Sequence, residues 1–124
     1  MTKWSTEELD TIGSAEELEI TSLRADGSLR RYVPIWVVRV GDDLYVRSWH
    51  GRDGAWYRHA VQRGEGRIRA RGLERDVTFT APDNMVDEPI DQAYWSKYGR
   101  HGNSYVGPMV SPDAKATTIR LTAR

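Results

Sequence analysis

Tyr32-Val-Pro-Ile-Trp-Val-Val-Arg-Val40 and, after the turn Gly41-Asp-Asp43, Leu44-Tyr-Val-Arg-Ser-Trp-His50 are the two runs on which the fold is decided. Both are rich in β-branched and aromatic residues, the composition of strands. The first is apolar on both faces over its middle, as a strand covered on both sides must be. Pro34 has no N–H to give to a ladder, so the start of that strand is expected at an edge or a bulge. Gly51, Asp53 and Gly54 break the second run. Ala55 to Arg63 then sets Trp56, His59 and Ala60 at helical spacing and stops before Gly64. Arg67-Ile-Arg-Ala-Arg71 alternates strictly, which puts three arginines on one face and Ile68 and Ala70 on the other. Tyr32–Gly72 also gathers Trp36, Trp49, Trp56, His50 and His59 in one stretch of chain.

Working towards the N-terminus, Ser5-Thr-Glu-Glu8 is a capping box that opens a short helix with Leu9 and Ile12 inward, ending near Gly13. Leu18-Glu-Ile-Thr-Ser-Leu23 alternates as a strand and turns at Ala25-Asp-Gly-Ser28 into Arg30 to Val40, which reads as one continuous strand. Towards the C-terminus, Val77-Thr-Phe-Thr-Ala81 is expected to pair with Arg67–Arg71 across Leu73–Arg75. Pro82 and Asp83-Asn84 open a loop. Asp87-Glu-Pro89 starts a helix running to about Tyr98, with Ile90, Ala93, Tyr94 and Lys97 on one side. Gly99 to Ser104 is expected as a mobile loop, Ser111-Pro-Asp-Ala114 as one helical turn, and Ala116–Thr122 as the last strand. Six short strands with helices between them predict a mainly β (β+α) fold in one domain over residues 1–124, a small six-stranded antiparallel barrel with peripheral helices.

The composition excludes several functions. There is no cysteine among the 124 residues, which rules out disulfides, thiolate metal sites and cysteine nucleophiles. Net charge is zero, whereas general nucleic-acid binders carry a basic excess; near-zero charge favours self-association. No apolar run is long enough to span a bilayer, and Met1-Thr-Lys-Trp-Ser-Thr-Glu-Glu8 has no signal-peptide core, so cytoplasmic residence without a membrane partner is expected. The charge is unevenly placed: nine arginines face five acidic residues between Arg39 and Arg75. No nucleophile elbow, phosphate-binding glycine loop or zinc-binding helix motif is present. His50, His59 and His101 are too scattered to make a metal site by spacing, so none is expected.

The turn from Ser48 to Tyr57 is the candidate site. Backbone N–H groups in a glycine turn and at a helix start suit an anion, and Arg47, Arg52 and Arg58 add charge-assisted donors. Trp49, Trp56 and Tyr57 offer a flat apolar wall. The competing reading is that the tryptophans fill a core poor in Phe and Leu, with the arginines outside. Arg67, Arg69 and Arg71 are likewise a solvated strand face or a phosphate-facing stripe. Lys97, between Tyr94 and Tyr98, faces a pocket or snorkels.

Trp36-Val-Val, Asp42-Asp-Leu-Tyr-Val-Arg-Ser48, Trp56-Tyr-Arg58, Gly66-Arg-Ile-Arg69, Asp91-Gln-Ala-Tyr-Trp-Ser-Lys-Tyr-Gly99 and Ala116-Thr-Thr-Ile-Arg-Leu121 together resemble the family known as domain of unknown function 2255, over most of the chain. More distantly, Arg47-Ser48, Gly51 and Trp56-Tyr57 are similar to the strand end, glycine turn and helix start of the pyridoxamine-oxidase-like split-barrel proteins, deazaflavin-dependent nitroreductases among them. That resemblance implies a six-stranded split barrel, a homodimer with its site at the interface, and a flavin (FMN) or deazaflavin bound through Arg47, Ser48, Trp49, Gly51, Trp56, Tyr57, Arg58 and Arg69. The chain departs from those relatives in one place. They carry a basic loop for the cofactor phosphates before the second strand, where this chain has Ala25-Asp-Gly-Ser-Leu-Arg30, with Arg30 and Arg31 as the cations at hand. Two readings stand beside the redox one. In the first, a cofactor-free pocket works as a cyclase or isomerase with His50, His59, Tyr57 or Lys97 as acid-base groups. In the second, the protein is a dimeric interaction module.

Overall fold

The structure, a computed structural model, describes residues 3–82 and 84–124, with only the backbone of Asn84; Asp83, read above as part of a loop, lies outside the described residues. Seven strands, β1 (Leu18–Ser22), β2 (Val33–Ile35), β3 (Val38–Val40), β4 (Asp43–Val46), β5 (Glu65–Ala70), β6 (Leu73–Thr80) and β7 (Ile119–Ala123), form one sheet in the order β2-β1-β5-β6-β7-β4-β3. Every pairing is antiparallel.

The run expected as one strand from Arg30 to Val40 is cut in two. β2 pairs with β1 (Leu18 opposite Ile35), while β3 pairs with β4 (Val38 opposite Tyr45). These are the two edges of the sheet, and only Trp36 and Val37 join them. Three Cα–Cα steps can span at most about 11 Å. The sheet therefore curls until its edges almost meet, leaving a split instead of a closed seam. This is why there are seven strands and not six.

The split is patched by α3 (Asp87–Tyr98). Its Tyr98 ring stacks on Trp36 with centroids 3.9 Å apart. The Tyr98 hydroxyl accepts from Val37 N–H (3.1 Å) and donates to the Glu16 carbonyl (2.7 Å). Lys97 Nζ donates to the Val37 carbonyl (2.7 Å). The backbone groups that a ladder would have used are thus satisfied by side chains.

Inside the barrel, Ile20, Val37, Leu44, Val46, Ile68 and Leu121 pack with Leu9 and Ile12 from α1 (Thr6–Gly13), whose capping box between Ser5 and Glu8 forms as expected. On the other side of β4 and β3, Tyr45 and Val38 pack under α3 and α4 (Asn103–Met109) with Ile90, Tyr94, Val106 and Met109. β4 is buried on both faces, which explains its apolar run. The strand expected to reach His50 ends at Val46, and the segment expected as a mobile loop is a 3-10 turn (Gly99–His101) leading into α4. The breakers Gly107 and Pro108 hid that helix, which exists to bury Val106 and Met109. β6 begins at Leu73, because Arg71 and Gly72, both at positive φ (50° and 84°), make a two-residue hairpin turn. At Gly66 a side chain would collide with the Thr21 carbonyl of β1. No helix among the described residues is long and apolar enough to cross a membrane.

Arg47 ties the helices to the barrel. Its side chain is fully buried just beyond β4. It donates to Asp91 Oδ1 (2.5 Å), the Met109 carbonyl (3.1 Å), Thr118 Oγ1 (2.9 Å) and the Asp87 carbonyl (3.4 Å). Replacing it with Met leaves Asp91 with Lys115 (3.1 Å) alone and strips the Thr118, Met109 and Asp87 acceptors of their donor. Arg47→Met is expected to lose about 3–5 kcal/mol in urea unfolding, most of it recovered by adding Asp91→Leu. Two tyrosines of α3 should diverge. The Tyr94 hydroxyl is buried and finds no hydrogen-bond partner among the described residues, so Tyr94→Phe is expected to be neutral or stabilising in thermal melts. Tyr98→Phe is expected to cost about 1–3 kcal/mol, because Val37 N–H loses its acceptor.

Candidate functional site

α2 (Ala55–Arg63) lies against β1, and its first turn separates two grooves that share Trp56 and Val33 as walls. The first, of about 280 Å³, is lined by Arg24, Arg30 and Arg31 from the β1–β2 connection and by Ala55, Trp56 and His59 from α2. No carboxylate lines it. The second, of about 300 Å³, is walled by Trp36, Trp49, Trp56, Pro34 and Met109, with Glu17 on its margin.

The arginines of the first groove stand apart from the others. Ion pairs occupy Arg39, Arg47, Arg63, Arg67, Arg69, Arg75, Arg100 and Arg124. Among the described residues Arg30, Arg31, Arg52 and Arg58 have no side-chain hydrogen bond or ion pair, Arg52 lying outside the groove, and the Arg30 Nε, like that of Arg69, is buried without an acceptor. Arg24 bonds the Leu29 carbonyl (2.9 Å) and braces the loop. Asp26, the acid of the β1–β2 connection, does not line the groove. Its Oδ1 accepts from Ser28 N–H (3.0 Å) and Ser28 Oγ (2.6 Å), and these bonds hold its carboxyl below the usual range.

His59 lines this groove. Burial, then the fields of Arg30 and Arg58, push its imidazole below the ordinary histidine value, so it is neutral near pH 7. Lys97 is lowered to about 8, chiefly by burial, but it is spent on the Val37 carbonyl at the split and lines neither groove. His50 lines the aromatic groove, not the basic one, and His101 bonds Glu16 (2.8 Å) at the far end of α3. No group of three metal-binding side chains occurs among the described residues.

Several residues expected to hold an anion are engaged elsewhere. Every guanidinium nitrogen of Arg47 is bonded internally, so it serves as a structural hub. Ser48 is buried; its N–H donates to Thr117 Oγ1 (2.9 Å) and its carbonyl accepts from Gly51 N–H (3.1 Å), while its Oγ finds no partner among the described residues. Gly51 is buried, and its carbonyl accepts from Gly54 N–H (3.2 Å). The glycine turn therefore consumes its own amides. Arg69 pairs with Glu19 (3.2 Å) and lies 3.7 Å over the Tyr32 ring, while Arg67 pairs with Asp76 (2.8 Å), so this strand face is a paired surface. Tyr57 packs on the barrel core, edge-on to Trp56 at 6.2 Å, and lines neither groove. Trp56 borders both grooves, whereas Trp49 lines only the aromatic one, and Arg58 adds its field beside His59. Arg24 escaped the sequence reading. Its signal was the symmetry of Arg24 and Arg30 about a turn whose only acid is self-satisfied, since Asp-Gly-Ser bonds back to itself at i+2.

Solved structures share the fold at low identity. A conserved hypothetical protein, Rv2991, from Mycobacterium tuberculosis superposes with a TM-score of 0.67 at 12% identity, covering 99% of this chain and 82% of its own. An FAD-binding protein from Mesorhizobium loti gives 0.56 at 17%, covering 98% and 89%. An F420 reductase gives 0.51 at 15%, covering 94% and 90%. No curated protein matches. Residues 8–121 match the family described as "Uncharacterized protein conserved in bacteria (DUF2255)", and the chain belongs to that family.

Proposed function

We propose that the protein binds a flat anionic cofactor of the flavin or deazaflavin type beside α2 and uses it for redox chemistry on a small molecule. The observation that carries this reading is the basic groove. In a chain of zero net charge whose other arginines are largely paired with acids, Arg30 and Arg31 converge unpaired on a groove free of carboxylates. A guanidinium with an orphaned buried Nε fits a phosphate, which accepts from it in fork geometry. Arg30, Arg31 and Arg24 would hold the phosphate end, with the free N–H groups at the start of α2 adding to the field. Trp56 would wall the ring on the side of the basic groove. A bound flavin or deazaflavin supplies hydride transfer; the protein supplies binding, orientation and exclusion of water. The FAD-binding and F420-reducing proteins named above support the reading through their shared fold. Zero net charge and the exposed Trp49 support a homodimer as part of it.

Titration with FMN, FAD and a deazaflavin, followed by cofactor fluorescence, is expected to show saturable micromolar binding to at least one of them. Arg30→Gln and Arg31→Gln should each weaken it about tenfold or more, since a charge-assisted hydrogen bond contributes about 1.5–3 kcal/mol. Arg63→Gln, a residue paired with Glu65 away from the groove, should leave it unchanged. Absence of binding to all three would leave the cofactor-free acid-base reading, centred on His59.

His59 makes the groove pH-sensitive in a defined direction. Its folded-state pKa lies below 6.5, so it is neutral at pH 7 and adds a positive charge only as the pH falls. Affinity for FAD, whose diphosphate keeps its charge over this range, is expected to rise between pH 8 and pH 5.5. The slope should vanish in His59→Gln; a slope that survives the substitution would remove His59 from the site.

A further inference from the structure

The aromatic groove differs in charge from the basic one across Trp56, and we propose that it is a separate ligand site, taking a flat heteroaromatic cation. This inference does not rest on the cofactor reading. Three tryptophans from three parts of the chain meet there: Trp36 at the split, Trp49 after β4 and Trp56 on α2. Two are held in place, Trp36 by its parallel stack on Tyr98 and Trp56 by its edge contact with Tyr57. Trp49 is 45% exposed, so part of its ring is open to a guest. Pro34 and Met109 complete a largely apolar wall in which the His50 imidazole is a hydrogen-bonding group on the lining, so shape and charge do most of the selecting. At about 300 Å³ the groove is at the small end for a ligand site, suited to a two- or three-ring molecule.

Its electrostatics select the sign of the guest. Arg47 borders the groove, but its nitrogens are all bonded and its charge is offset by Asp91 at 2.5 Å and Asp87 at 3.9 Å. Glu17 is the carboxylate on the margin. Its neighbours Glu16 and Glu19 are paired with Arg100 and Arg69, whereas Glu17 has no ion pair or hydrogen bond among the described residues. An indole face attracts a cation through its ring quadrupole. Tryptophan faces and an unspent carboxylate thus favour positive charge here, where the groove on the other side of Trp56 favours negative.

The test uses 1-methylquinolinium and the uncharged quinoline at pH 8, with calorimetry on the purified full chain. The cation is expected to bind about fivefold more tightly than quinoline, from indole attraction and one screened ion pair. Glu17→Gln, an exposed change, should remove part of that preference, and Trp49→Leu should weaken both probes. Arg30→Gln should alter neither. Equal affinity for the two probes, no binding of either, or a Glu17→Gln variant with an unchanged preference would overturn the proposal. So would a response to Arg30→Gln, which would place the probe in the basic groove. Loss of flavin binding alone would leave it standing.

Discussion

The short step from Ile35 to Val38 governs the architecture. Because two residues join opposite edges of the sheet, the sheet has to curl, and because they cannot also belong to a ladder, it cannot close. Everything near the split answers that conflict. The Val37 amide and carbonyl need partners, and Tyr98 and Lys97 bring them from α3. Trp36, turned out of the ladder, gains a stacking partner in Tyr98. Burial lowers Lys97 towards 8 at this point, where its ammonium donates to a carbonyl that also lies 3.0 Å from the Tyr98 hydroxyl.

A second constraint follows from covering both faces of β4. Tyr45 needs a roof, which α3 and α4 form with Ile90, Tyr94, Val106 and Met109. Arg47 fastens them by reaching Asp87, Asp91, Met109 and Thr118 from one buried guanidinium. The planar fork of arginine reaches four partners in different directions, which a lysine could not. Lys115 Nζ, 3.1 Å from the other oxygen of Asp91, completes the network and joins α5 (Pro112–Lys115) to it. The residue that the sequence marks as an anion contact is instead the pin that keeps the lid of helices in place.

The elements were legible where one physical period dominated. The capping box at Ser5, the amphipathic start at Leu9 and Ile12, the helix over Ala55–Arg63 and the hairpin strands around Ile68 and Val77 all follow from local rules. What failed were features set by partners distant in sequence. Nothing in Val33-Pro-Ile-Trp-Val-Val-Arg-Val40 says that its halves pair with different neighbours. Nothing around Gly107-Pro108 shows that Met109 needs burying. The candidate site was legible as a neighbourhood, since Trp49, Trp56, Arg58 and His59 do gather around the α2 start. Its pairing was not. Whether an arginine is free depends on whether an acid lies opposite it, and for Arg69 and Glu19 that is fixed by strand register.

Pairing state is therefore the property that separates structural from ligand-facing charge in this chain. Residue counts place arginines all along the middle of the sequence and an acid, Asp26, in the loop before Arg30 and Arg31. Geometry reverses both impressions. The strand arginines are spent on Glu19 and Asp76, and the Arg47 guanidinium on the helices. Asp26 is spent on Ser28, so it does not cancel the field of Arg30 and Arg31. A surface of net charge zero ordinarily spreads its cations among its anions, where each pair contributes little. To leave Arg30 half-buried, with an unbonded Nε and no carboxylate along the same groove, costs stability that folding alone gives no reason to spend. An incoming phosphate would remove that cost on binding, which supports the groove as the phosphate end of the proposed site; at the glycine turn beside it the Ser48 hydroxyl is likewise buried without a partner among the described residues.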